Sequence, residues 1–204
     1  MAHAGPGLNA REVWRLLLEG NMRFVQGFFM GRNLLDLRKS LTKGQSPIAA
    51  VLCCSDSRVP AEIVFDQSLG DLFVVRTAGL VLQSTSLGSL EYAVAHLHVP
   101  LLVIKGHEGC GAVTATVANP DLDESHITAV VRKIAPAAAR AKESGLTGSD
   151  LVEAANNLHL AALHDTLKHE SPIIGEALAS GHLHIVVTKY SLQAGQVEVL
   201  DTTW

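Results

Sequence analysis

The chain has 204 residues, which is one domain at roughly 150 residues each, or one domain with extra helices. Hydrophobic residues make up 48% and charged residues 18%, a balance that supplies a core and excludes a disordered chain. The 16 Lys and Arg against 20 Asp and Glu give −4, which excludes the basic excess of a nucleic-acid or anionic-membrane binder.

At the start, Met1-Ala2-His3-Ala4-Gly5-Pro6 has no basic stretch leading into an apolar run, so no secretory signal is expected. No later run is long and apolar enough for a transmembrane helix. Asn9, with Glu12 three residues on, has the capping-box spacing, and Trp14, Leu17 and Leu18 mark one apolar face; this predicts a helix. Phe28, Phe29 and Met30 lie between glycines and are too apolar for a linker. The segment is expected to be buried, with a partner subunit as the candidate cover. Residues 1–40 read as an N-terminal helical arm, and 45–204 as an α/β core with C-terminal helices, together one domain over 1–204.

From residue 48 the pattern changes. The runs 48–54, 72–76, 101–104 and 183–187 are short and apolar on both faces, as in the central strands of a parallel sheet. Helices are predicted over 60–67, with Pro60 at the start, and over 85–96, 111–118, 124–143 and 150–170. Pro136 predicts a kink or break in the fourth of these. Alternating strands and helices imply right-handed crossovers and a sheet covered on both faces. The run 197–200 follows the turn-like Gln193-Ala194-Gly195, which predicts a hairpin. The expected fold class is therefore α/β: a mostly parallel central sheet of four strands plus an antiparallel edge strand, flanked by helices.

In open α/β sheets function gathers at the carboxyl ends of strands. One strand ends in Cys54-Ser55-Asp56-Ser57-Arg58 and another in Gly106-His107-Glu108-Gly109-Cys110-Gly111. Two thiols and an imidazole at neighbouring strand ends suit zinc, and a Cys₂His set leaves a fourth position for water or a carboxylate. Three cysteines make no disulfide framework and fit a reducing, cytoplasmic setting. Cys53 points to the opposite face of its strand from Cys54, so it is expected to be a buried structural thiol.

These residues make the chain similar to the β-class carbonic anhydrases, whose signature is Cys-x-Asp-x-Arg followed by His-x-x-Cys. Gln45-Ser46-Pro47, Phe65-Asp66-Gln67, the run 70–76 and the run 87–94 fall in the family's order and spacing. Clear similarity covers residues 10–118, and the C-terminal part matches weakly. The resemblance implies Zn²⁺ held by Cys54, His107 and Cys110, with zinc-bound hydroxide attacking CO₂ to give bicarbonate. It implies that Asp56 orients this hydroxide while Arg58 keeps Asp56 ionised and off the metal. In a closed form of the site Asp56 is itself the fourth ligand. By position, Gln45 donates a hydrogen bond to substrate oxygen, often across a dimer interface, and Phe73, Ala78 and Tyr92 line a small apolar pocket. A homodimer, or a tetramer of dimers, is the implied assembly; no nucleic acid or membrane partner is.

The chain also departs from the family. Leu80 stands where a polar residue is usual, and Glu108 adds a carboxylate beside the zinc His, which bears on local pKa values and proton relay. Arg76 and Tyr190 match two anion-binding positions of a bicarbonate-regulated subset, but Val51 replaces its Trp, which argues against that regulation. Of the ten histidines, His96, His98, His159, His164, His169, His182 and His184 are expected to be solvated or hydrogen-bonded. Two rival functions stay open at this point. One is hydrolysis of COS or CS₂ on the same scaffold; the other is a zinc-stabilised binding module without turnover.

Overall fold

In the computed structural model, residues 7–119 and 125–204 are described. The chain runs α1 (Ala10–Gln26), α2 (Leu34–Ser40), β1 (Ala49–Cys54), α3 (Ala61–Val64), β2 (Leu72–Thr77), α4 (Ser84–Ala95), β3 (Leu101–His107) and α5 (Gly111–Ala118). It continues through α6 (His126–Lys142), α7 (Gly148–Glu170), α8 (Pro172–Ala179), β4 (His184–Tyr190) and β5 (Val197–Thr202). Short 3₁₀ turns occupy Leu41–Lys43 and Ala78–Leu80.

The sheet order is β2-β1-β3-β4-β5; every pairing is parallel except β4 with β5. All six residues of β1 are buried because helices cover both faces, which is why its sequence shows no alternation. Ala50, Leu52 and Cys54 pack into a core with side chains of α4, α5, α6, α7 and α8. Ala49, Val51 and Cys53 pack on the other face against Val13, Trp14 and Leu17 of α1 and against Phe65. Cys53 is thus a buried thiol facing away from Cys54, as expected, and desolvation pushes its pKa up.

Both hydrogen bonds of the Asn9–Glu12 capping box form, so α1 starts where the sequence predicts. Three expectations need correction. The helix expected over 60–67 is a single turn, because Asp66 takes a left-handed conformation (φ 44°) and its buried carboxylate turns back to Arg23 and Arg32. Pro136 does not break α6: Arg132, whose carbonyl loses its partner, is exposed, while Ile134, Ala137 and Ala138 are buried on the inner face. No helix is read over 172–179, yet Ser171 caps one there through Ile174 N–H, with Pro172 in the first turn. The expected helix start at Glu124 lies outside the described residues.

The segment 28–30 is tethered but uncovered. Met30 N–H and the Arg32 guanidinium bond the Asp66 carboxylate, and Phe24 packs edge-on against Phe29. Phe28 and Phe29 nevertheless stay 71% and 55% exposed in the single chain. Among the described residues, no helix is long and apolar enough to cross a membrane.

Candidate metal centre

Adjacent strands β1 and β3 end at Cys54 and His107, and the short loop after β3 delivers Cys110 to the start of α5. The Cys54 and Cys110 sulfurs are 4.0 Å apart, and ligand atoms of Cys54, His107 and Cys110 lie within 4.8 Å of one another. All three residues are buried.

The charge state of this cluster follows from its neighbours. The Cys110 thiol lies on the Cys54 sulfur, and with the Asp56 and Gly79 backbone N–H groups it draws the Cys54 pKa well below the usual thiol range despite burial. Cys110 moves the opposite way, because its proton is held by the Cys54 sulfur and burial disfavours a second charge. The two opposed shifts favour a thiolate at Cys54 beside a thiol at Cys110. His107 Nδ1 lies 2.8 Å from the Glu108 carbonyl oxygen, which can only accept, so Nδ1 carries the hydrogen. That leaves Nε2 a bare lone pair, and it is fully buried without a hydrogen-bond partner. An orphaned imidazole nitrogen beside a thiol–thiolate pair is costly unless a cation takes the lone pair. Soft sulfur with imidazole is the donor set zinc prefers, so the residues fit that ion.

Asp56 and Arg58 sit on the turn after β1. Arg58 donates to Asp56 Oδ1 from its backbone N (2.9 Å) and Nε (3.0 Å), and to Oδ2 from Nη2 (2.7 Å). These side-chain bonds hold the Asp56 pKa well below the usual carboxylate range. Arg76, at the end of β2, donates to the Cys54 carbonyl (2.9 Å) and the Asp56 carbonyl (2.6 Å), tying two residues of that turn to β2.

The remaining expected site residues are dispersed. Phe73 on β2 and Tyr92 on α4 meet with ring centroids 6.1 Å apart, but Tyr92 stays 47% exposed. Ala78 precedes Gly79 in the turn that reaches Cys54, and Gln45 lies exposed on the loop before β1. Glu108 turns away from the cluster: its carboxylate accepts from Ser191 Oγ (2.9 Å) and Leu192 N–H (3.1 Å). Leu80, at φ 57°, is buried in the core.

Three polar side chains on α7 reach the site: Glu153 and Asn156 are missed by sequence reasoning, while His159 is hydrogen-bonded as expected but with an unforeseen partner. Glu153 Oε1 accepts from Gly109 N–H (2.9 Å), Asn156 Nδ2 donates to the His107 carbonyl (2.9 Å), and His159 Nε2 lies 2.7 Å from the Gly79 carbonyl. The only signal in the sequence is their three-residue spacing along an otherwise apolar helix face.

Residues 49–197 match a family model described as carbonic anhydrase. Carbonic anhydrase 2 of Mycobacterium tuberculosis is 42% identical over 200 residues, covering 96% of this chain and 95% of that protein. A carbonic anhydrase of Pseudomonas aeruginosa is 32% identical over 92% of this chain and 87% of that one. Among solved structures, the β-carbonic anhydrase CcaA superposes with a TM-score of 0.74 at 29% identity, over 92% of this chain and 95% of that one. A Coccomyxa β-carbonic anhydrase bound to acetazolamide gives 0.73 at 25% identity, over 91% and 86%. With the sheet order, the buried Cys-His-Cys cluster and these full-length likenesses in agreement, the chain belongs to the β-carbonic anhydrase family.

Proposed function

We propose that the chain is a zinc-dependent carbonic anhydrase, converting CO₂ and water reversibly into bicarbonate and a proton. The observation that carries this reading is the partnerless His107 Nε2 facing a thiol–thiolate pair, with an ionised Asp56 on the same strand end. Cys54, His107 and Cys110 would hold the ion. Zinc bound there supplies a water acidified to a pKa of about 7.

The protein's own residues do the rest. Asp56, ionised, accepts a hydrogen bond from the attacking water and so aims its lone pair at the CO₂ carbon. Arg58 keeps Asp56 charged and occupies both of its oxygens, which holds it off the metal position. This is the open arrangement; in a closed one Asp56 would leave Arg58 and become the fourth ligand. Phe73, Ala78 and Tyr92 would offer apolar surface to a substrate with no net dipole, and Gln45 would donate to its oxygen. Exposed Tyr92 and Gln45 are completed by a second copy, which also covers Phe28 and Phe29. We therefore infer a homodimer or a tetramer of dimers; a Sordaria macrospora structural relative is described as tetrameric. Three free thiols fit a cytoplasmic setting.

Hydrolysis of COS or CS₂ is less favoured, because relatives at 42% identity are named carbonic anhydrases. A zinc-stabilised binding module has no use for the Asp56–Arg58 pair. Stopped-flow hydration of CO₂ across about pH 6 to 9, with CS₂ as the competing substrate and zinc counted per chain, tests the reading. Zinc-loaded protein that turns over only CS₂, or neither substrate, overturns it.

A further inference from the structure

The strand end and loop that carry His107 and Cys110 are gripped by one helix, α7. Glu153 holds the Gly109 N–H between the two ligands of the second motif, and Asn156 holds the carbonyl of His107 itself. Leu160 packs so closely on Gly106 that a Cβ there would lie 2.4 Å from its methyl carbon. His159, one residue earlier, reaches the remaining ligand from the far side, through the turn after β2.

That turn is unusual. Gly79 is left-handed (φ 62°), and a Cβ there would meet Ile134 Cδ1 at 2.7 Å and Ala112 Cβ at 2.9 Å, so only glycine fits. Glycine is also the residue least able to fix its own dihedrals. Yet the Gly79 N–H must stay beside Cys54, whose register partner Thr77 leads into this turn and whose thiol pKa this N–H lowers. The Gly79 carbonyl on the other side of the same Cα is held by His159 Nε2 at 2.7 Å. His159 is 4% exposed, and a carbonyl can only accept, so Nε2 carries the hydrogen and the ring is the donor. Fixing the peptide after Gly79 fixes ψ at the one flexible link and leaves the peptide before it beside Cys54.

Building on the zinc reading above, we propose that His159 is a positioning residue for the metal thiolate of Cys54, acting through the Gly79 turn. It touches neither metal nor substrate. Its effect is on the electron density of the Cys54 sulfur, since an N–H bond to a thiolate draws charge from it. Losing the His159 bond frees the Gly79 turn and weakens that N–H contact.

The test uses the full chain in its native assembly, loaded with zinc or with Co²⁺ as a spectroscopic probe. His159→Leu is expected to lose ~10-fold or more in zinc affinity by chelator competition, the scale for removing a group that orients a ligand. It is also expected to shift the sulfur-to-Co²⁺ charge-transfer band. His159→Gln, whose amide N–H can reach the same carbonyl, is expected to restore both. Leu163→Ala, on the same helix and also buried, serves as a stability control that lowers Tm and leaves the band in place. An unmoved band and unchanged affinity in His159→Leu overturn the proposal, as does an equal band shift in Leu163→Ala. Native protein that binds zinc without hydrating CO₂ removes the catalytic reading and leaves this one standing. Native protein that binds no zinc removes both.

Discussion

Breaking the Asp56–Arg58 pair tests whether the two residues act as one unit. Arg58→Ala deletes two of the three hydrogen bonds on the Asp56 carboxylate, the 3.0 Å and 2.7 Å contacts, and leaves only the 2.9 Å backbone bond. Asp56 is then free to swing toward the metal, where it would displace the attacking water. Asp56→Asn instead leaves the water in place, badly aimed, beside an unpaired guanidinium. Each single change is expected to keep zinc, because Cys54, His107 and Cys110 are untouched, and to lower turnover at least ~10²-fold. Independent residues would multiply to ~10⁴-fold in the double variant, whereas a unit leaves it near ~10²-fold. Acidity supplies a second readout. Arg58 depresses the Asp56 pKa, so the contribution of ionised Asp56 persists above the ordinary carboxylate value and fades only as pH falls through the depressed one. Without Arg58 that value returns toward the unfolded one of about 4, so the stability that ionised Asp56 contributes, and its loss in acid, largely disappear from the variant. Stopped-flow CO₂ hydration, zinc content and acid denaturation of all four proteins decide the matter. A ~10⁴-fold loss in the double variant refutes the coupling, and near-native turnover in Asp56→Asn refutes the role of Asp56.

Further outcomes follow from the same geometry. Cys110→Ala is expected to lose most of its zinc and to melt earlier, because metal-binding free energy is shared with folding; full occupancy in elemental analysis would contradict the ligand set. Burial pushes the wholly buried Lys105 ammonium from 10.5 down to about 8, a gap worth ~3 kcal/mol. Between those values the unfolded chain binds more protons, so stability rises with pH across that window. Urea denaturation of native protein and Lys105→Met should therefore show native gaining ~3 kcal/mol on the variant between pH 7 and pH 10.5, and a constant difference would show that Lys105 is not desolvated as described. Replacing Phe28 and Phe29 with Asp is expected to shift sedimentation toward monomer; an unchanged assembly would place the interface elsewhere.

Much of the architecture is legible in the sequence because its signals are local. Three of the four apolar runs mark central strands, while the fourth, 72–76, forms the half-buried edge strand β2 and not the central strand expected; Asn9 with Glu12 announces α1. The metal cluster is legible because zinc constrains residue type as well as spacing. The α7 contacts are not, since they join residues 44, 49 and 80 positions apart, and the three-residue spacing of Glu153, Asn156 and His159 does not name their partners. Leu80 gives no hint either, because nothing about leucine predicts φ 57°. The short α8 does carry a signal, Ser171 followed by Pro172, but one cap before eight residues is weak beside the long run of α7. Asp66 ends α3 early through bonds to Arg23 and Arg32, 43 and 34 residues away, which no local helix propensity contains.

The grip of α7 on the ligand loops also orders events during synthesis. All three ligands lie within the first 110 residues, while the helix that positions them spans Gly148–Glu170 and β4 ends only at Tyr190. Chains emerge from the ribosome N-terminus first, so the two thiols and the imidazole enter the cell well before their clamp. At that stage β3 has an open edge where β4 will pair, and nothing enforces tetrahedral spacing on the donors. A loose thiol pair is open to any thiophilic ion, copper(I) included. A chain halted before α7 would therefore carry the three donors without the contacts that fix the backbone of His107 and Gly109.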